Sequence, residues 1–323
     1  MIDVAVSQLT TPRWDLGQEL ERIVAAGFDA ISLWRPKLSD PGLGNVAARL
    51  ACAGVRVSSL QWTGGFTGGD GRSFAESVAD GLEAIDAAAL LGAPVLVVHS
   101  GCRGGHTLAH ATRLLHDALD RLVPRARDTG VVLALRPIHP DTAPGCSFLD
   151  RLARAIDLVE DYGDPAVRLA LDLWQFADDV CISDNLSRLA AVAALVQVAD
   201  RQGLPAPDQD RLPAGRGTLP LEPLVAALVA HGYRGDLEFD PVGEAVESLG
   251  YDAVFQETRC LSDAWEAAWQ TAGGPLARGL EPAHVQLRGL HSRPAAAGAG
   301  FFPLGSGSRS PHASNQTVSR GRG

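Results

Sequence analysis

Thr129-Gly130-Val131-Val132-Leu133-Ala134-Leu135-Arg136-Pro137-Ile138-His139-Pro140 decides how the chain folds. Upstream, Leu115, Leu119 and Leu122 recur at helical spacing, so a helix is expected to run into Thr129 and to stop at Gly130 in a left-handed cap. The apolar run that follows is short and rich in Val and Leu, which reads as a strand buried on both faces. Alternation puts Val132, Ala134 and Arg136 on one face, so the guanidinium is expected at the C-terminal edge of the sheet.

The same helix, glycine and strand succession recurs at Ala26-Gly27-Phe28, Ala53-Gly54-Val55 and His231-Gly232-Tyr233. Strand candidates are 4–8, 30–34, 55–62, 95–100, 131–137, 167–172, 195–200 and 236–240, with Phe74, Val78, Leu82, Ile85 and Ala89, and then Leu149, Leu152, Ile156 and Val159, marking helices between them. Alternating strands and helices in series predict an α/β chain folded as one (β/α)8 TIM barrel over residues 1–271. From 272 to 323 the periodicity is replaced by Gly, Ala, Ser, Pro and Arg, including Gly305-Ser306-Gly307-Ser308-Arg309-Ser310. A disordered low-complexity tail is expected there.

The 323 residues carry 46% hydrophobic and 20% charged residues and a net charge of −10. That balance is globular, offers no apolar run of about 18 residues for a membrane, and argues against nucleic acid as a partner. Met1-Ile2-Asp3-Val4-Ala5-Val6 begins without a basic, cleavable leader, so a cytoplasmic location is expected. The five cysteines are scattered without a CxxC pair, which predicts reduced thiols. Lys37 is the single lysine. No Gly-x-Gly-x-x-Gly, Walker-type loop or Gly-x-Ser-x-Gly elbow sits between a strand and a helix. A small molecule is the expected partner, and a homodimer is left open.

In a barrel of this kind, chemistry comes from the C-terminal ends of the strands. The ends here are His99, Arg136, Asp172, Gln197, Glu238 and Asp240. His99 is the general acid or base nearest to neutrality by intrinsic pKa. Lys37 and Arg35, on the loop after the second strand, are candidate anchors for an anionic substrate. Trp62, Phe66 and Trp174 offer an apolar wall for a small organic ring.

Four stretches, Ser32 to Leu38, Gln61 to Gly68, Val97 to Gly101 and Gly232 to Gly235, resemble the xylose-isomerase-like sugar phosphate isomerase and epimerase family, whose barrel is similar to that of endonuclease IV. The resemblance covers about residues 1–270. It implies a divalent metal held by Glu, Asp, His and Glu on strands five to eight. In this chain those positions read Arg136, Asp172, Gln197 and Asp240, and a His expected three residues after the strand-six Asp is Gln175. Arg211 falls where relatives place a basic residue before a glycine-rich turn near the substrate.

A guanidinium donates and never accepts, so Arg136 cannot ligate a metal. No cofactor is therefore expected, with Arg136 balancing Asp172 and Asp240 in place of an ion. The alternative is Mg²⁺ or Mn²⁺ on Asp172, Gln197 and Asp240. The resemblance implies an isomerase or epimerase acting by proton transfer next to a carbonyl, with Arg136, Asp172, Asp240, Glu238 and His99 as the catalytic set. The substrate-binding set is then Lys37, Arg35, Trp62, Phe66, Trp174, Gln175, Gln197 and Arg211. A lyase, dehydratase or cyclase on the same barrel and a binding-only pseudoenzyme are the alternatives.

Overall fold

A computed structural model describes residues 2–143 and 145–271. The tail expected from residue 272 lies outside them. Eight parallel strands, β1 (Val4–Ser7), β2 (Ala30–Trp34), β3 (Arg56–Gly64), β4 (Val95–His99), β5 (Val132–Arg136), β6 (Val167–Asp172), β7 (Ala193–Val198) and β8 (Asp236–Phe239), close in sequence order into a barrel. β1 pairs with both β2 and β8, which completes the ring.

Helices α1 (Leu16–Ala25), α2 (Leu43–Ala53), α3 (Phe74–Leu91), α4 (Leu108–Thr129) and α5 (Leu152–Tyr162) cover the first five strands. The β6 to β8 side carries the short α6 (Leu173–Phe176), α7 (Val180–Asp184) and α8 (Leu186–Val192), then α9 (Leu221–Ala230), α10 (Glu244–Leu249) and α11 (Tyr251–Thr271). Gly130 ends α4 in the left-handed region at φ 73°, the conformation that the opening stretch calls for.

Two of the buried clusters build the barrel. The large one lies between the outer face of the sheet and the helices, and includes Leu115, Leu119 and Leu122 of α4 against Leu133 and Leu135 of β5. The small one fills the barrel itself with Val95, Val97, Ala134, Ala170 and Leu195. Because Ala134 faces inward, period-two alternation carries Arg136 to the barrel mouth, as the sequence predicts.

Strand boundaries move by a residue or two from the sequence reading. β7 starts at Ala193 and ends at Val198. Asp200 leaves the ladder and instead bridges Leu212 in the following segment. Among the described residues no helix is long and apolar enough to cross a membrane.

Candidate functional site

The mouth is built from the last inward residue of successive strands. His99 follows Val95 and Val97, Arg136 follows Ala134, Asp172 follows Ala170, and Gln197 follows Leu195. Strand register then sets neighbours: Trp34 beside Gln61, His99 beside Arg136, Asp172 beside Gln197, and Gln197 beside Glu238. Glu238 is level with Asp172 and Gln197 by this register, and Asp240 follows just beyond the end of β8 at Phe239.

On the β6 to β8 side the site is closed by Arg211. Its backbone exchanges hydrogen bonds with Val242 at 2.9 and 2.8 Å, and its neighbour Leu212 does the same with Asp200 at 2.8 Å each way. The Arg211 guanidinium donates to both oxygens of Asp172 (3.0 and 3.1 Å), to Oδ1 of Asp240 (2.6 Å) and, through Nε, to the Asp240 carbonyl (3.2 Å). Its carbon lies 5.1 Å from the centre of the Trp174 ring, which adds a cation–π contact.

Arg136 donates through Nη2 to Asp172 and has no bond to Asp240. The expectation that Arg136 balances both carboxylates is therefore corrected: Arg211, on the segment after β7, reaches both of them.

Electrostatics separates the three buried carboxyls. Burial would raise Asp172, but Arg211 and then Arg136 overcome it and hold the group below its usual range. Asp240 is raised by burial and by the charge of Asp172, against the lowering pull of Arg211 and Arg136. Burial pushes Glu238 up to about 7 against hydrogen bonds from Ser59 and Ser58. Ser58 donates to Glu238 at 2.7 Å, Gln61 at 3.1 Å and Gln197 at 3.4 Å.

The β2 to β5 side is less satisfied. Trp62 stacks on His99, with ring centres 5.1 Å apart and planes 4° from parallel. β3 passes close beneath: a Cβ on Gly64 would lie 1.9 Å from the His99 carbonyl oxygen, so only glycine fits at its φ of 142°. Among the described residues, six buried side-chain polar atoms lack a hydrogen-bond partner. Five are Trp34 Nε1, Gln61 Oε1, His99 Nε2, Arg136 Nε and Gln197 Oε1, on β2, β3, β4, β5 and β7. Such atoms cost about 1–3 kcal/mol each when left unpaired, so their concentration in one place marks a site rather than a core.

Other expected residues are engaged elsewhere. His99 is an unsuitable general acid: burial, and then Arg136, lower its pKa to about 3, so the ring is neutral near pH 7. Lys37 donates to the Thr11 carbonyl at 2.7 Å and pairs with fully buried Glu19, so its charge ties two loops together instead of facing a ligand. Arg35 grips Asp80 with two bonds of 3.1 and 2.8 Å and donates to the Trp62 carbonyl at 3.1 Å.

Phe66 has no exposed surface and belongs to the large core, and Trp174 is 5% exposed with its face covered by Arg211. Neither is an open wall; Trp62 alone of the three aromatics keeps partial exposure. Gln175 accepts from the His139 backbone (3.0 Å) and Thr142 (2.7 Å), which turns its carbonyl toward the loop after β5. The residues that sequence reasoning missed are Gln61, Ser58 and Trp34. The signal for Ser58 and Gln61 is the run Ser58-Ser59-Leu60-Gln61, polar positions in the middle of a strand, and that for Trp34 is its place at the end of β2.

The alternative metal set of Asp172, Gln197 and Asp240 does not fit a dication. Two of its three members are already joined by Arg211, and Arg136 adds a second cation on Asp172. A divalent ion there would face two guanidiniums across a buried site, and the coulombic penalty is several kcal/mol. Among the described residues no cluster of three His, Cys, Asp or Glu side chains is arranged to hold a metal ion.

The model of the xylose isomerase-like TIM barrel matches residues 20–258. The chain belongs to that family. Solved structures share the barrel at low identity. A protein from Sinorhizobium meliloti 1021 is 22% identical over 81% of this chain and 97% of its own, with a TM-score of 0.71. The IolI protein with a bound zinc atom is 18% identical over 83% and 99%, at 0.72. An L-ribulose 3-epimerase is 21% identical over 84% and 97%, at 0.67. No curated protein sequence matches.

Proposed function

We propose that this family member is an isomerase- or epimerase-like enzyme that moves a proton at the carbon next to the carbonyl of a small polyhydroxylated or keto compound, without a metal. The observation that carries this reading is the set of five unpaired polar atoms on five strands of the barrel. It alternates donors (Trp34 Nε1, Arg136 Nε) with acceptors (Gln61 Oε1, Gln197 Oε1), as a molecule with several hydroxyls and a carbonyl requires. The L-ribulose 3-epimerase among the similar structures supports the same class.

In this reading the carbonyl oxygen takes the free Arg136 Nε–H, which polarises it and holds the charge that develops as the α-proton leaves. Glu238 takes that proton and, for isomerisation, returns it on the same face to the former carbonyl carbon while the α-hydroxyl proton passes to the carbonyl oxygen. Epimerisation takes its returning proton from a water on the opposite face, and the Glu238 pKa of about 7 suits transfer in both directions. Substrate hydroxyls replace the long Gln197–Glu238 contact of 3.4 Å. Trp62 packs against the carbon skeleton. Arg136 and Arg211 are matched by Asp172 and Asp240, so the pocket has no surplus positive charge for a phosphate, and unphosphorylated compounds are preferred.

The test is incubation in deuterated water with aldoses, ketoses and their phosphates, with and without chelator. Deuterium entering at an α-carbon of an unphosphorylated compound, unaffected by chelator, supports the reading. Loss of water from the product would move it to a dehydratase, and binding without exchange would make the chain a pseudoenzyme.

A further inference from the structure

We propose that Arg211 is the resident cation of this site, a positioning residue that locks Asp172 and Asp240 in place and so leaves the Nε of Arg136 free for a ligand oxygen. The two arginines differ in how they are used. Every guanidinium nitrogen of Arg211 has an acceptor: Nη1 and Nη2 on Asp172, Nη2 also on Asp240, and Nε on the Asp240 carbonyl. Its ring partner Trp174 is itself anchored through Nε1 to the Asp210 carbonyl at 3.1 Å. Backbone bonds to Val242 pin the residue, and those of Leu212 to Asp200 pin its neighbour, so the cation is set by the main chain and not by a flexible arm. Arg136 is 9% exposed, holds one carboxylate through Nη2, and keeps its Nε unpaired.

A planar fork that spans two carboxylates while lying on an indole is specific to guanidinium; an ammonium of the same charge offers neither the plane nor the bidentate edge. Removing the side chain therefore leaves a slot with the shape and charge of a guanidinium: carboxylates of Asp172 and Asp240 on one side, the Trp174 face on another. Arg136 cannot fill it, since its own strand holds it beside His99.

The inference rests on the proposed function only for what Arg136 does with its free nitrogen; the slot can be tested without any substrate. Arg211→Ala is titrated with methylguanidinium and, at equal ionic strength, with methylammonium, and thermal unfolding is followed. A saturable rise in Tm of about 3 °C or more with methylguanidinium alone is expected, absent from the unsubstituted protein and from Arg136→Ala. Should Arg211→Ala fail to fold, refolding in millimolar methylguanidinium but not methylammonium is the expected result. Equal response to both ions, no response to either, or a response confined to Arg136→Ala overturns the assignment. If the slot binds methylguanidinium while no compound exchanges deuterium, the inference stands and the proposed activity falls.

Discussion

The two sides of the barrel mouth are built on different principles. From β6 to β8 Asp172 takes two guanidiniums, Asp240 shares one, and Arg211 is pinned by the main chain, with Gln197 Oε1 left unpaired beside them. From β2 to β5 the polar atoms of Trp34, Gln61, His99 and Arg136 are buried without partners, and Trp62 keeps exposed surface over His99. A closed ion network holds geometry, whereas unmet hydrogen-bonding capacity is what a ligand can satisfy. The mouth thus has a rigid half and a receptive half, with Glu238 between them through Gln61 and Gln197.

Breaking the rigid half has the largest expected effect. Asp172→Ala strands Arg136 and half of Arg211, and loss of one partner from a buried ion cluster costs about 3–5 kcal/mol. Urea unfolding should show that loss with an unchanged m-value, and a cost below about 1 kcal/mol would mean that the network does not hold the site.

Glu238→Gln tests the group between the halves. A carboxyl whose folded pKa is raised binds its proton more tightly in the folded state, so it favours folding at low pH and opposes it once ionised. Stability should therefore fall as pH rises from about 4.5 to about 7, by on the order of 3 kcal/mol if the shift is wholly felt. Glu238→Gln should remove the slope above about pH 6 and leave the part below it that raised Asp240 contributes, with deuterium exchange dropping about 100-fold or more. A slope that persists between about pH 6 and 7 in the variant would assign it to another group.

On the receptive half, Trp62→Ala should weaken sugar binding about 10-fold while stability changes by about 1–2 kcal/mol, because the ring is partly exposed and stacks on one neighbour. Calorimetric titration with the compound that exchanges would check it, and unchanged affinity would place the ligand elsewhere. Smallest is Lys37→Met with Glu19→Gln: the pair touches the unpaired set through Gln8, which donates to Glu19 at 2.7 Å and accepts from the Trp34 backbone at 2.9 Å, so exchange should change less than about twofold. A larger loss would extend the site to the loops after β1 and β2.

Much of this was legible in the chain. Alternation in Val132, Ala134 and Arg136 was enough to aim the guanidinium inward, since a strand's side-chain period is fixed by its pleat. The same rule, carried along β8, aims both Glu238 and Asp240 inward but cannot say which stands level with Asp172, because that depends on stagger between strands. His99 looked like a titrating group, and burial beside Arg136 made it a neutral one. Phe66 and Trp174 looked like ligand walls, and packing consumed both.

What the sequence alone determined is local and periodic: eight helix and strand units, left-handed glycine stops such as Gly130, and charged residues at the strand ends where a buried sheet meets solvent. What tertiary structure decided is which charges meet. Arg211 lies 39 residues from Asp172 and 29 from Asp240 along the chain, and no pattern of spacing records that a segment after β7 folds back to lay its guanidinium between them. Coulomb attraction and hydrogen bonding act through space, so the choice between Arg136 and Arg211 as the partner of two carboxylates exists only once the barrel has closed.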